Sequence, residues 1–312
     1  MQIIPIAFAF DNNMILPACV CISSLLMNAK ENTFYDIFIL CSGTSLIDKK
    51  QLEVITHYYN QSCRISFKIV NNDYDTAFKI RGITTATYYR LAIPDLIHEY
   101  KKIIYTDVDI IFRMDLSSLY DTDISSYLLA ATTDLNMNIS KGGKDYLLNT
   151  LKLTPGEYLQ AGVLLLNLER LRLSGMSSLF KRQLVNKYTF QDQDILNLTC
   201  RGSIYYLPCY YNATNYFYHY YWRQKQDLLS VYNLDDIDRT IKEGNIHYNG
   251  AKPWNEFCIN YDIWWEYYRK SPVFDQKFYY DFYESKSNEL DKLSLWKRIK
   301  ILIRYFVYGK NK

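Results

Sequence analysis

The sequence predicts an α/β protein with a mostly parallel central sheet flanked by helices and followed by a C-terminal helical tail. Up to about residue 200, short apolar runs alternate with segments whose apolar residues recur at helical spacing. This alternation is typical of βαβ units, in which helices cover a parallel sheet. The chain has 312 residues, of which 49% are hydrophobic and 22% are charged, so it can bury a substantial core.

Each predicted element has its own signal. The apolar run 3–10 ends in the polar residues 11–13, and residues 17–29 then carry apolar side chains at helical spacing, which predicts a strand, a turn and a helix. Gly43 closes the second strand. The later predictions are strands 34–43, 63–72, 103–112, 127–134 and 161–168 and helices 45–60, 83–96 and 171–188. From about residue 205, dense aromatic residues show no periodicity, so we expect irregular structure that wraps the sheet.

Composition excludes several classes of protein. The net charge of +3 is too small to indicate nucleic-acid binding. The seven cysteines lack the paired CxxC spacing of a zinc site, and we expect them to be reduced core residues of a cytosolic protein. The N-terminal residues lack the features of a signal peptide, and no apolar stretch reaches about 18 residues, so we expect neither export nor a membrane-spanning segment.

Asp107 and Asp109 interrupt the end of the apolar strand 103–112. Ligands of open α/β sheets bind beyond the carboxyl ends of the strands, and two residues spaced by two point the same way from an extended chain. Two neighbouring carboxylates repel each other unless a positive charge lies between them, and a divalent cation with oxygen ligands supplies it. The alternative is that the two aspartates cap a turn or bind loop amides.

A phosphatase can also end a strand in a DxD triplet, with the first aspartate as nucleophile. That class usually has threonine or valine where this chain has Ile111, and it places the triplet after its first strand. A calcium loop is excluded because DVDIIF lacks the third ligand and the turn glycine.

Six segments together resemble a known family. They are AFAFDNN (7–13), TYYRL (87–91), YTDVDII (105–111), LQAGVLLLNLERL (159–171), QDQDILN (191–197) and HYNGAKPW (247–254). Their order and spacing resemble the retaining glycosyltransferases of family 8, especially the bacterial lipopolysaccharide galactosyl- and glucosyltransferases. The resemblance covers about residues 3–270 and implies a Rossmann-like GT-A domain, 1–270. A nucleotide-sugar half, about 1–115, would precede an acceptor half, about 116–270, and a helical tail, 271–312.

The resemblance also implies a role for individual residues. Asp107, Asp109 and His247 would bind Mn²⁺, with Mg²⁺ as the alternative, because an imidazole ligand suits manganese better. Gln193, Asp192 and Lys252 are the implied catalytic residues. The implied nucleotide-sugar site comprises Ala9, Asp11, Asn13, Arg90, Asp107, Val108, Asp134, Gln160, Ala161, Gly162, Asp192, Gln193, His247, Gly250 and Lys252.

Particular chemistry supports several of these assignments. Asp11 and Asn13 can hydrogen-bond uracil and ribose, and Arg90 can hold donor oxygens at two places. Gly162 is expected to leave room for the donor sugar, and Lys252 to place a positive charge on the departing phosphate. The sequence departs from the family twice: Gln160 replaces the usual asparagine, and only Ala251 separates Gly250 from Lys252.

The implied activity is metal-dependent transfer of a hexose from a UDP-sugar to a hydroxyl of a glycan acceptor, with retention of configuration. Galactose is favoured as the hexose and glucose is next, and the acceptor would belong to lipopolysaccharide or another surface polysaccharide. Because Gln193 is a poor nucleophile, front-face attack by the acceptor is favoured over a double displacement through Asp192. Two alternatives stay open: a catalytically silent protein that binds nucleotide sugars or glycans on the same fold, and the phosphatase.

The C-terminal segment predicts a basic amphipathic helix. Leu295, Ile299, Leu302 and Phe306 share one face with Trp296 and Ile303 at its edge, while Lys297, Arg298, Lys300 and Arg304 fall opposite. Such helices bind anionic membranes. We therefore expect a cytoplasmic protein peripherally associated with the inner face of the cell membrane. A helix docked on the core or a contact in a homo-oligomer is the alternative.

Overall fold

The computed structural model describes the backbone of residues 1–42, 48–80 and 84–308, and the side chains of these residues up to residue 303. The predicted Gly43 strand end, the start of helix 45–60 and the first residue of helix 83–96 lie outside the described residues. The ten strands of the described chain are β1 (Gln2–Ala9), β2 (Thr33–Ser42), β3 (Cys63–Val70), β4 (Lys102–Thr106), β5 (Ile110–Ile111), β6 (Leu129–Thr133), β7 (Leu159–Asn167), β8 (Ile204–Leu207), β9 (Ala213–Thr214) and β10 (Ile246–His247).

Fifteen α-helices lie in the described part of the chain. The α-helices of the described residues are α1 (Ile15–Met27), α2 (Lys50–Tyr58), α3 (Ile93–Leu96), α4 (Ser117–Tyr120), α5 (Leu135–Ile139), α6 (Lys141–Tyr146), α7 (Leu168–Leu173), α8 (Met176–Gln183), α9 (Gln191–Thr199), α10 (Asn215–Arg223), α11 (Lys225–Leu229), α12 (Leu234–Glu243), α13 (Tyr261–Lys270), α14 (Gln276–Asp291) and α15 (Leu295–Tyr308). Shorter 3₁₀ segments are Asn12–Met14, Asn72–Tyr74, Thr85–Ala92 and Cys209–Tyr211, and Leu147–Leu151 is a π-helical turn.

Two sheets organise the described chain. The large sheet has the strand order β3-β2-β1-β4-β7-β6-β8, and its neighbours run parallel except at β7, which is antiparallel to both β4 and β6. The small sheet has the order β5-β10-β9. The mostly parallel α/β architecture predicted from the sequence is confirmed.

Apolar cores lie on both faces of the large sheet. One face buries Ile4, Ile6 and Phe8 of β1 against helix α1, and the opposite face buries Ala7 with residues of the 3₁₀ segment Thr85–Ala92. Strands that are covered on both faces consist of nearly continuous apolar residues, and for this reason they could be predicted from the sequence. A third core beside the small sheet is rich in aromatic side chains and includes Trp264 and Trp265.

Four predicted elements differ from the observed ones. The predicted strand 103–112 is two strands, β4 and β5, because the chain leaves the large sheet after Thr106 and Ile110–Ile111 pair with β10 of the small sheet. The predicted helix 83–96 is a 3₁₀ segment, Thr85–Ala92, that continues into α3. The predicted helix 171–188 is two helices, α7 and α8, because the chain turns at Gly175 with a φ of 63°. The prediction of irregular structure after residue 205 was wrong in part, since β8 and α10 lie there. Helix α10 has aromatic residues on more than one side, so its sequence lacks the alternation of apolar and polar faces from which a helix is predicted.

Candidate active site

Two short strands bring three potential metal ligands together. Asp107 follows β4, Asp109 precedes β5, and His247 lies in β10. Strand β10 pairs antiparallel with β5, so His247 lies opposite Ile110, and the amide of Tyr248 donates to the carbonyl of Asp109 over 2.9 Å. One ligand atom each from Asp107, Asp109 and His247 lies within 4.8 Å of the others. The ladder thus joins residues that are far apart in the sequence.

The charges of this cluster are balanced within the protein. His247 Nε2 lies 3.2 Å from Asp109 Oδ1 and 3.9 Å from Asp107 Oδ2. Lys252 Nζ donates to Asp109 Oδ2 and, over 2.5 Å, to the carbonyl of Tyr248. Burial raises the pKa of Asp109, but the charge of Lys252 and the contacts with Lys252 and the His247 imidazole outweigh it and hold that pKa well below its ordinary value. Asp109 is therefore ionised at neutral pH, as a carboxylate ligand of a cation would need to be.

The donor set fits a divalent cation. Carboxylate oxygens are hard ligands, and one imidazole beside them suits Mn²⁺ and related first-row ions. The three side chains converge from separate backbone segments onto one point, and all of them line the same cavity. Lys252, expected on the departing phosphate, donates to the carboxylate of Asp109 in this structure.

Arg90 is the buried cation at the centre of the site. Its Nη2 donates to Asp107 Oδ1 over 2.7 Å, its Nη1 donates to the carbonyl of Ala161 over 2.5 Å, and its Nε lies 3.0 Å from Asp192 Oδ2. Thr87 donates its hydroxyl to Asp192 over 2.7 Å. Burial raises the pKa of Asp192 to about 6 although Arg90 and Thr87 act to lower it. Arg90 therefore fixes two carboxylates from different elements in one position.

Gln193 is held by both ends of its amide. Its Oε1 accepts from the amide of Ala161 over 3.0 Å, and its Nε2 donates to Asp134 Oδ2 over 3.1 Å. Asp134 also caps helix α5 by accepting from the amide of Met137. Burial raises the pKa of Asp134. The side chain of Gln193 thus has a single orientation, at the start of helix α9.

A buried brace holds the first turn of α9. Asp194 is fully buried and accepts from the hydroxyls of Tyr146 and Tyr158 and from the amide of Phe190. Gln191 begins the helix with a φ of 49°, which is unusual for a residue with a side chain. Strain of this kind occurs where surrounding contacts impose it, often at functional sites. The contacts of Asp194 and the backbone of Gln191 together fix the direction in which the side chains of Asp192 and Gln193 project from the helix.

Two adjoining cavities contain most of the predicted site residues. The first cavity has a volume of about 460 Å³ and the second of about 140 Å³, and Thr87, Arg90, Asp107 and Gln160 line both. The first cavity is also lined by these predicted site residues: Ala9, Asp11, Asn13, Val108, Asp109, His247 and Lys252. The others in the second are Ala161, Gly162, Asp192 and Gln193. Asp134 and Gly250 line neither, but Asp134 contacts Gln193 and Gly250 packs against Asn215.

Some predicted residues have a structural contact that the sequence did not indicate. Asp11 caps the 3₁₀ turn Asn12–Met14 through the amide of Asn13 while lining the first cavity. A Cβ added to Gly162 would overlap the imidazole of His247, so the lack of a side chain at this position leaves room for that ring. Gly162 also borders the second cavity. Gln160 Oε1 accepts from the amide of Gly162 over 2.7 Å and from Asn212 over 2.5 Å.

Sequence reasoning missed several residues of the site. Thr87 binds Asp192, Asn249 lines the first cavity, and Asn212 connects Gln160 to His247. Thr87 lies within the TYYRL segment, so its position was available as a signal. Asn212 lies in the aromatic region, where no motif drew attention to it.

Comparison with known proteins identifies the family. The model named "Glycosyl transferase family 8" matches residues 5–258. A protein of Haemophilus influenzae, provisionally named a glycosyltransferase, is 30% identical over 267 residues, which cover 82% of this chain and 74% of that protein. The lipopolysaccharide glucosyltransferase WaaO of Escherichia coli is 24% identical and covers 83% and 74% of the two chains.

A solved structure gives the same picture of the fold. The galactosyltransferase LgtC, solved with donor and acceptor sugar analogues, is 27% identical to this chain with a TM-score of 0.71, and the match covers 88% of this chain and 99% of LgtC. The fold and site therefore define a glycosyltransferase of the GT-A class. The chain belongs to glycosyltransferase family 8.

None of the helices in the described part of the chain combines the length and the apolar character that crossing a membrane requires.

Proposed function

We propose that this protein transfers a hexose from a UDP-sugar to a hydroxyl group of a glycan acceptor, with retention of configuration and with dependence on a divalent cation. The observation that carries the proposal is the cluster of Asp107, Asp109 and His247 in the wall of the first cavity, which has room for a nucleotide. Manganese is the preferred cation and magnesium the alternative. Galactose is the favoured hexose and glucose the next, in lipopolysaccharide or another surface polysaccharide.

The chain's own residues supply most of the proposed chemistry. Asp11 and Asn13 would bind the base and ribose at one end of the first cavity, and Asp107, Asp109 and His247 would hold the cation. When bound, that cation would neutralise part of the charge that develops on UDP. Lys252, which lies on Asp109, is close enough to the same place to add a second positive charge.

The contacts of Gln193 and Asp192 support front-face attack. The oxygen of Gln193 already accepts from a backbone amide, and an amide is a weak nucleophile. The carboxylate of Asp192 is paired with Arg90 and bonded to Thr87, which lowers its nucleophilicity. We infer that both residues position the donor sugar between them in the second cavity, and that the acceptor hydroxyl loses its proton to the departing phosphate.

The exposed apolar residues of α15 support membrane association. Leu295 and Trp296 are 70% and 79% exposed, and Leu302 is 54% exposed. Arg298 folds back to bond the carbonyls of Asp291 and Leu293, so it contributes less positive surface than Lys297 and Lys300. We propose that α15 binds the anionic inner face of the cell membrane from the cytoplasm, close to a lipid-linked acceptor. A homo-oligomeric contact through the same helix is the alternative.

Incubation with Mn²⁺ and a panel of UDP-sugars, with release of UDP as the signal, tests the proposed activity. Release from UDP-galactose above all other donors is expected, and release from UDP-glucose should rank second. Retention of donor without any release would favour a catalytically silent binding protein. A glycosylated peptide containing Asp192, trapped by mass spectrometry, would favour double displacement instead.

A further inference from the structure

Gln160, Asn212 and His247 form a buried chain of hydrogen bonds that ends on the ring nitrogen of His247 facing away from Asp107 and Asp109. Asn212, Gln160 and His247 are 4%, 7% and 2% exposed. Asn212 Nδ2 lies 2.5 Å from Gln160 Oε1, and Asn212 Oδ1 lies 2.9 Å from His247 Nδ1. The other ring nitrogen, Nε2, faces Asp107 and Asp109.

A backbone group determines the direction of every hydrogen bond in this chain. The amide of Gly162 can only donate, so the Gln160 atom 2.7 Å from it is the carbonyl oxygen. Asn212 therefore turns its NH₂ toward Gln160, where Thr132 Oγ1 is a second acceptor at 3.2 Å. The remaining oxygen of Asn212 faces His247 and can only accept. His247 consequently carries a proton on Nδ1 and presents Nε2 to the metal position.

We propose that Asn212 is a positioning residue for the metal site: it fixes the ring orientation and the metal-binding tautomer of His247, and Gln160 in turn orients Asn212. This inference rests on the metal site proposed above. Ligand histidines commonly donate their second N–H to an outer acceptor, and loss of that acceptor weakens metal binding. It also assigns a role to Gln160, the residue that departs from the family pattern.

Titration of the full-length protein with Mn²⁺ alone, followed by electron paramagnetic resonance of the free ion, tests the proposal. Asn212→Ala should weaken Mn²⁺ binding by about tenfold or more. Asn212→Asp keeps an acceptor at Nδ1, but its second oxygen would face Gln160 Oε1, so it should bind Mn²⁺ more weakly than the wild type and more tightly than Asn212→Ala. An Asn212→Asp variant as weak as Asn212→Ala would overturn the proposal, since the acceptor would then not be what matters.

Matched variants separate this effect from loss of folding. Asn245 is also buried, and among the described residues its side-chain amide bonds backbone groups of Arg113 and Tyr211, so Asn245→Ala should lower the melting temperature without changing Mn²⁺ affinity. Should Asn212→Ala fail to fold, Gln160→Leu serves the same purpose, because it leaves Asn212 free to turn its NH₂ toward His247. Gln160→Glu retains the acceptor and is its control.

One further variant distinguishes failure of this inference from failure of the proposed metal site. Asp109→Asn should abolish Mn²⁺ binding. If Asp109→Asn binds Mn²⁺ weakly but Asn212→Ala and Gln160→Leu bind as well as the wild type, the metal site stands and the role of Asn212 is wrong. If the wild type binds no Mn²⁺, both proposals are overturned.

Discussion

Gly162 lies against the imidazole of His247 so closely that a methyl group on its Cα would overlap the ring. The same glycine donates its amide to Gln160 and accepts at its carbonyl from the amide of Asp107 over 2.8 Å. Strand β7 thus touches two of the three proposed metal ligands, Asp107 and His247, through a position that has no side chain.

The first prediction concerns this contact. Gly162→Ala should displace the His247 ring, lower the free energy of unfolding by about 1–3 kcal/mol and weaken Mn²⁺ binding. Gly142→Ala is the control, because a Cβ at Gly142 meets nothing within 4 Å. Chemical denaturation and Mn²⁺ titration of both variants check this, and equal behaviour of the two would contradict the close contact.

The second prediction concerns the proposed cation. Asp109→Asn, or removal of metal with a chelator, should lower the rate of UDP release by about 100-fold or more, because several kcal/mol of charge stabilisation are lost. Added Mn²⁺ should restore the chelated wild type but not the variant. Undiminished release in the presence of chelator would show that the three side chains serve another purpose.

The third prediction concerns the guanidinium group of Arg90. In Arg90→Lys a single ammonium cannot contact Asp107, Asp192 and the Ala161 carbonyl together, so the free energy of unfolding should fall by about 1–3 kcal/mol and activity should fall with it. Arg239→Lys affects an exposed pair with Glu243 and should change stability by less than about 0.5 kcal/mol. Similar losses in both variants would argue against a central role of Arg90.

The fourth prediction concerns pH and Asp192. Its pKa of about 6 in the folded protein exceeds the ordinary value of 3.8, so the folded state binds more protons than the unfolded state between these values. This group's contribution to stability is therefore largest below about pH 4 and is lost as the pH rises through 6. Denaturation at several pH values should show the stability of the wild type, relative to Asp192→Asn, falling over that range; parallel profiles would contradict the raised pKa.

The fifth prediction concerns the tail. Deleting residues 292–312 should abolish binding to vesicles that contain anionic lipid while leaving hydrolysis of the donor unchanged, because α15 contributes no residue to either cavity among the described ones. Lys297→Glu with Lys300→Glu should weaken binding to the same vesicles and reduce its dependence on salt. Vesicle binding that survives the deletion would reject the membrane role.

The mostly parallel α/β architecture and most of the predicted site residues that line the two cavities could be inferred from the sequence, whereas the spatial order of the strands could not. Continuous apolar runs revealed β1, β2 and β4, and the family resemblance drew attention to His247, which spacing alone could not connect with Asp107. Asn212 escaped because a side chain that acts through another side chain leaves no local pattern, whereas Thr87 was overlooked although it lies within the TYYRL segment. The break at Gly175 and the helix α10 escaped for a related reason, since a positive φ and aromatic packing on several sides depend on tertiary contacts.

The antiparallel pairing of β5 with β10 also has a consequence for the order in which the protein becomes competent during synthesis. His247 joins the two aspartates only when β10 has docked, and β10 begins 135 residues after β5 ends. A still-growing chain that has not yet added β10 carries Asp107 and Asp109 without the imidazole. On the proposed function, a chain released at that stage would lack one of the three ligands of the cation and would hold a nucleotide sugar poorly.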